Sequence, residues 1–303
     1  MKPIIIRILF FILLPLQLNC NRENPVDKSK LKGRDYRLFQ NTVAWDLAKA
    51  VQDEDELKIK EIITKDPNII NYQDPKYGNT LLIFTIMNQQ MEPFMVLINN
   101  KADINIHNTF DGSSALIEAV RLRDYDIKFA EILIKNGANV NDIETGERSE
   151  GNSTRQTPLI SAVSSGKIEF VELLINNGAD INYQNEYGQS AFGESVMTNE
   201  YKISNYLLQH GANYHRPVFF IPDDSVLFEN RDPNDKGKPM YLVDVLRKDI
   251  FPLYSSDYQY KMQIVDFLKS KGIDYRATPV PEYIKERIKE RYPNSWQEYL
   301  EKY

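Results

Sequence analysis

Few residues in this chain are of a type to do chemistry, and their spacing is poor for it. Its 303 residues hold one cysteine, Cys20, and three histidines, His107, His210 and His215. Three scattered imidazoles and one thiol do not make a zinc-type ligand set, which needs closely spaced pairs. A single cysteine excludes an intramolecular disulfide. Asp232-Pro233-Asn234-Asp235-Lys236-Gly237 opens like a calcium loop, but Val243 stands where the closing glutamate must fall, so it reads as a surface turn. Gly146 to Ser153 has the spacing of a phosphate-binding loop, yet Asn152 replaces its lysine and no strand–loop–helix context surrounds it. No nucleophile elbow or pair of catalytic carboxylates stands out, and no metal or cofactor is expected. The formal net charge of -6, from 37 basic and 43 acidic residues, argues against phosphate-backbone binding, so no nucleic-acid partner is expected. With 42% hydrophobic and 11% aromatic residues, the chain has material for a real core.

The thiol has a context. Residues 1–19 carry Lys2 and Arg7, then an apolar run from Ile8 to Leu16 that is too short to span a bilayer, so they read as a signal peptide. Leu16-Gln17-Leu18-Asn19-Cys20 resembles the lipobox of bacterial lipoproteins, with Gln17 and Asn19 departing from the strict pattern. The resemblance implies that Cys20 is lipidated and becomes the first mature residue. That would anchor the protein in a bacterial cell envelope, with membrane and leaflet left open. Ordinary secretion, with Cys20 near the cleavage site by chance, is the alternative. Residues 20–42 read as the lipidated cysteine and a flexible tether, spanning ~25 Å as a random coil. Lys28, Lys30, Lys32, Arg34 and Arg37 give the tether a basic excess that could touch anionic headgroups.

Internal repetition dominates the remainder. Asn71, Asn105, Asn141 and Asn182 end similar five-residue segments, typified by Gly137-Ala138-Asn139-Val140-Asn141 and Gly178-Ala179-Asp180-Ile181-Asn182. Gly211-Ala212-Asn213-Tyr214 follows in phase, and Gly272-Ile273-Asp274-Tyr275 is a distant echo. A second landmark keeps step: Thr80, Ser114, Thr157 and Ser190, three of them two residues after Gly78, Gly112 and Gly188. Thr or Ser there can cap a helix, and Pro158 fits a first helical turn. Ile168 to Ile175 reads as a second helix with two adjoining apolar faces. Gly137, Gly178, Gly211 and Gly272 stand where a helix end needs a left-handed residue. These landmarks resemble the ankyrin-repeat family. The resemblance implies an all-α solenoid of helix–turn–helix units with β-hairpin fingers, about six repeats, the last divergent. Repeats 1–5 fall in 43–214, a hairpin-like insertion in 215–236, the divergent repeat in 237–275 and a C-terminal helical cap in 276–303. In the insertion, residues 218–221 and 226–228 read as two strands around Pro222-Asp223-Asp224-Ser225.

The resemblance also implies function: a scaffold that binds a protein partner, monomeric apart from that partner. Aromatic finger residues Tyr72, Tyr77, Phe110, Tyr183 and Tyr187 are the candidate contacts, since such side chains give large contact area at modest entropic cost. Packing on the next unit is the competing role for each. Arg121, Arg123 and Lys167, near the ends of first helices, are candidates for the polar rim, with Asn88, Gln89, Ser165, Asn199 and Glu200. His107 is expected to lie exposed on a finger, and His210 at a helix end. The loop 142–156 reads as a mobile or binding loop. Two other classes stay open: an envelope enzyme using His215 or Asp244 in the 215–260 insertions, and a protective or inhibitory periplasmic factor.

Overall fold

A computed structural model describes residues 25–146, 155–186, 188–221 and 237–303. Cys20 and the segment 1–19 lie outside the described residues. Six antiparallel helix pairs follow one another: α1 (Trp45–Gln52) with α2 (Glu56–Lys65), α3 (Leu81–Met87) with α4 (Met91–Asn99), α5 (Ala115–Arg121) with α6 (Ile127–Lys135), α7 (Pro158–Ser165) with α8 (Ile168–Asn176), α9 (Ala191–Met197) with α10 (Tyr201–Gln209), and α11 (Leu242–Leu246) with α12 (Ser256–Ser270). First helices stack on first helices, α3 on α5 on α7 on α9. Second helices do likewise, α2 on α4, α6 on α8 and α10 on α12. The expected solenoid is therefore the architecture found, and one continuous apolar core runs through it.

Local chemistry sets each unit. The side chains of Thr80, Thr157 and Ser190 accept hydrogen bonds from the N–H groups of Ile83, Ile160 and Gly193. Ser114 holds the same position without that bond, and its buried hydroxyl has no partner among the described residues. After α4, α6, α8 and α10 the chain turns left-handed, and the following N–H reaches back to the helix: Ala102 to Leu97, Ala138 to Leu133, Ala179 to Leu174 and Ala212 to Leu207, at 2.9–3.0 Å. Gly178 makes this turn at φ +88°, but in the second unit Lys101 makes it at φ +67°.

An asparagine ladder joins the units. The Asn71, Asn105, Asn141 and Asn182 side-chain carbonyls accept from the main-chain N–H of Asp103, Asn139, Asp180 and Asn213 at 2.9, 3.2, 2.7 and 2.8 Å. The amides of Asn141 and Asn182 also donate to the Gly178 and Gly211 carbonyls at 3.1 and 3.2 Å. In the next unit His215 occupies the asparagine position, and the ladder stops. Tyr214 instead meets Phe267 edge-on at 5.3 Å, while Asn205 bonds Gln263 and Tyr201 bonds Asp249.

Both ends depart from a bare repeat. The tether expected through residue 42 is, over 25–42, an ordered strap. Tyr36, Leu38 and Phe39 are buried, and the Tyr36 and Phe39 rings lie 5.2 and 5.0 Å from Phe84. Asn88 donates to the Arg34 carbonyl at 3.1 Å, and Lys76 donates to the carbonyls of Ser29 and Leu31 at 2.8 Å. The charges in this segment concealed four apolar side chains, Leu31, Tyr36, Leu38 and Phe39, which cover a face that would otherwise meet water. The hairpin is also corrected. β1 (Phe219–Ile221) pairs antiparallel with β2 (Lys238–Met240), Phe219 opposite Met240. The 226–228 run lies outside the described residues. Val218, next to β1, is buried and donates to the Met240 carbonyl at 2.7 Å, which ties the pairing to the core.

At the far end, α13 (Glu282–Arg291) and α14 (Trp296–Lys302) close a small second core around Ile250, Ile284, Ile288, Tyr299 and Tyr303. The last residue is a clasp. The Tyr303 hydroxyl donates to the Arg247 carbonyl at 2.6 Å, and the Arg247 guanidinium donates to the carbonyls of Tyr303 and Tyr275. Lys261 is buried beneath it, with its ammonium 3.9 Å from the Tyr303 ring centre and donating to the Asp249 carbonyl at 2.9 Å.

Two predictions follow from these caps. At Gly178 an added methyl would meet nothing within 4 Å, so only the backbone resists it. Gly178→Ala is expected to cost about 1 kcal/mol in urea unfolding, and Lys101→Gly to gain a similar amount. Burial lowers the Lys261 amine to about 7, below its ordinary 10.5. A depressed folded value means the contribution is complete above pH 10.5 and is lost as pH falls towards 7. Burial raises the hydroxyls of Tyr201, Tyr275 and Tyr303 above 10, so none of these three sets the slope just above neutrality, and burial also raises the Asp249 carboxyl, which is present in both proteins compared below. Between neutral and mildly alkaline buffer the wild type should therefore gain about 1–2 kcal/mol relative to Lys261→Met, measured by denaturant unfolding of both proteins.

Candidate partner-binding surface

The fingers are held by side-chain carbonyls. Asp74 accepts from the N–H groups of Lys76 and Tyr77 at 2.9 Å, and Asn108 from those of Phe110, Asp111 and Gly112 at 3.0 Å. Neighbouring fingers touch. At Gly112, φ +74°, a Cβ would fall 2.0 Å from the Gly146 nitrogen, so only glycine permits the next finger to lie there. Gln73 also donates to the His107 carbonyl at 2.8 Å, and His107 Nε2 lies 2.9 Å from the Asp142 carboxylate. His107 is thus half-buried between fingers, not exposed as expected, because its ring bridges two units.

The predicted contact residues divide sharply. The Tyr77 ring is half-buried, its hydroxyl donating to the Leu31 carbonyl at 3.1 Å. Phe110 stands edge-on to that ring at 5.4 Å and remains 54% exposed. Tyr72 is half-buried, 6.4 Å from Phe39. Tyr183 is half-buried against the core and its hydroxyl reaches the Arg155 carbonyl at 3.4 Å. Tyr187 lies outside the described residues. Arg123 donates to the carbonyls of Ser165 and Gly166 at 3.3 and 2.7 Å and approaches Glu200 at 3.5 Å, stitching three helix ends together. Lys167 donates to the Tyr125 carbonyl at 2.9 Å, with its ammonium 4.5 Å from the Phe170 ring.

Arg121 departs furthest from the rim role. Its guanidinium meets Asp111 at 2.8 Å, Glu144 at 3.0 Å and Glu118 at 3.4 Å, and donates to the Ser113 hydroxyl. Glu118 and Glu144 are buried. Burial raises the Glu118 carboxyl above its ordinary value. Burial opposes ionisation of Asp111 too, but Arg121 and bonds from Asn108 and Ser113 hold it below the usual range. Glu144 lies near the start of the 142–156 loop, and its carboxylate accepts from the Ser113 hydroxyl and from the Gln156 main chain. Residues 147–154 lie outside the described residues. Sequence spacing missed this network because its acids come from a finger, a helix and the following loop. It also missed Leu122 and Met197, exposed at 46% and 52% at first-helix ends, since neither belongs to a repeated landmark.

The enzyme candidates have structural partners. The His215 ring lies 4.1 Å from Tyr214, and the Asp244 carboxylate caps α11 by accepting from the Tyr241 N–H at 3.2 Å. His210 ends α10, its ring bonded to the Tyr206 carbonyl. Among the described residues no group of three His, Cys, Asp or Glu side chains is placed to hold a metal ion.

Residues 47–144 and 143–217 match the family model for ankyrin repeats. The chain belongs to the ankyrin-repeat family. No curated protein matches it significantly. Ankyrin repeats are generally protein–protein interaction modules, and proteins built from them are typically non-enzymatic scaffolds. The match ends at 217, two residues beyond His215, where the asparagine ladder stops. The sixth helix pair of this ankyrin protein lies past that point and is held by aromatic and amide contacts of its own.

Arg121 gives the prediction for this surface. Arg121→Ala leaves three carboxylates around a vacated cation site and should cost about 3 kcal/mol by denaturant unfolding. Arg121→Lys should recover only part of that, because one ammonium cannot reach four acceptors at once.

Proposed function

We propose that this ankyrin protein is a lipid-anchored envelope scaffold that binds a protein partner through its fingers and first-helix ends. The observation that carries the reading is Phe110. A large apolar ring is kept more than half in water on a finger whose turn is fastened by three main-chain bonds to Asn108. A rigid aromatic loses little entropy when a partner covers it. Leu122 and Met197 add exposed apolar side chains in the third and fifth units, and Arg123 and Glu200 supply charge beside them. Tyr77 supports the Phe110 ring from beneath, and Arg121 and Lys167 hold the scaffold's shape.

The anchoring part rests on residues 1–19 and Cys20. Among the described residues no helix is long and apolar enough to cross a membrane. In this reading the acyl chains on Cys20 supply the attachment, the array is monomeric apart from its partner, and its site of action is the bacterial envelope.

The test is in-cell cross-linking of the full-length protein, followed by affinity capture and mass spectrometry. Phe110→Ala with Leu122→Ala should reduce capture of the partner by about thirty-fold or more, since interface anchors of this kind are worth ~1–2 kcal/mol each. Lys128→Ala, on an outer helix, should not. Capture unchanged by the double variant would overturn the proposed contact surface. Metabolic labelling with a fatty-acid analogue tests the anchor separately: label on the wild type and none on Cys20→Ser is expected.

A further inference from the structure

Between the N-terminal strap and the turn joining α1 to α2 lies an open groove of about 800 Å³. Lys30, Lys32, Arg34 and Arg37 line it, against two carboxylates, Asp35 and Glu54. All four cations are exposed. Arg37 is paired with Asp35 at 2.6 Å, and Lys30 reaches Asp27 at 3.4 Å. Lys32 and Arg34 have no acidic partner among the described residues. The backbone beneath them is fastened: Tyr77 and Lys76 hold the Leu31 carbonyl, and Asn88 holds that of Arg34. Lys28 joins these cations, so the strap carries five bases and two acids in a chain whose net charge is -6.

We infer that this groove and its cations form a docking surface for an anionic phospholipid membrane. The inference rests on the anchored reading for its reach. Cys20 precedes Pro25 by five residues, which span at most about 18 Å of fully extended chain. A lipid on Cys20 would therefore hold the groove near the headgroups, where screening over ~8–10 Å still leaves attraction between base and phosphate. The acidic remainder of the chain is repelled by the same surface. Attraction at one end and repulsion over the body orient the array with its N-terminal cap against the lipid and the later repeats directed away. Phospholipid also suits an open groove whose bases are held at fixed points, because separate headgroups can diffuse to each base.

The experiment uses the full-length chain in two kinds of vesicle, pure phosphatidylcholine and phosphatidylcholine with roughly 30% phosphatidylglycerol. Co-flotation with neutral vesicles reads the anchor alone. The rate of tryptic cleavage after Lys30 and Lys32, normalised to cleavage after the distant Lys135, reads the groove. Cleavage at the two strap sites is expected to slow about ten-fold on the anionic vesicles and to recover in high salt. Arg34→Gln with Arg37→Gln should reduce that protection. Equal cleavage on both vesicles overturns the docking surface, and the anchor stands if the chain floats with both. Flotation with anionic vesicles only supports the groove while overturning the anchor, and flotation with neither overturns both.

Discussion

Each unit of this array leaves main-chain donors and an apolar face that only its neighbour can satisfy. Four asparagines meet the first need. Asn71, Asn105, Asn141 and Asn182 each reach across to an N–H of the following unit, and Asn141 and Asn182 donate to a helix-terminal carbonyl as well. Each such bond contributes only about 1 kcal/mol net. Their effect is geometric: they fix the offset at which α3, α5, α7 and α9 meet, and burial of leucine, isoleucine and phenylalanine between those helices supplies the larger stabilisation. A repeat protein is stable in proportion to such neighbour contacts, so a unit lacking the bridge must find another. The sixth pair does this through Tyr214, Asn205 and Tyr201, all side chains outside the repeated pattern.

The same logic explains the ends. A terminal repeat has an apolar face and no neighbour. At the start, residues 25–42 cover it with Leu31, Tyr36, Leu38 and Phe39, while turning their lysines and arginines to water. At the finish, two helices and the final tyrosine close it, enclosing Arg247 and Lys261 against aromatic faces. Burying two cations is costly. Three carbonyl acceptors and the Tyr275 and Tyr303 rings offset that cost.

Function on such a scaffold lies in what the stacking leaves over. Tyr77, Arg121, Arg123 and Lys167 are polar or aromatic residues at positions suited to recognition, yet each is engaged within the molecule. Phe110, Leu122 and Met197 keep about half of their surface in water. A basic strap at one end and exposed apolar side chains along the fingers and helix ends give the array two chemically distinct surfaces.

The repeat length, the helix caps at Thr80, Thr157 and Ser190, the glycine turns and the bridging asparagines could all be read directly from the chain, because each depends on contacts that recur at fixed spacing. Residue type alone makes Thr a cap and Gly a left-handed turn. The roles of Arg121, Glu118 and Glu144 were not legible, since three carboxylates converge on one guanidinium only when a finger, a helix and a loop are brought together. The strap hid behind its own lysines for a related reason: an amphipathic segment without helical or strand periodicity looks like a tether until the surface it covers is known. The partner of β1 lay at Lys238–Met240, beyond a nearer apolar run, because the strand that pairs is the one the fold carries back to it. Local conformational preference travels with the sequence, whereas pairing between distant segments, and which polar side chains remain free to meet a partner, depends on how the packed units share one surface.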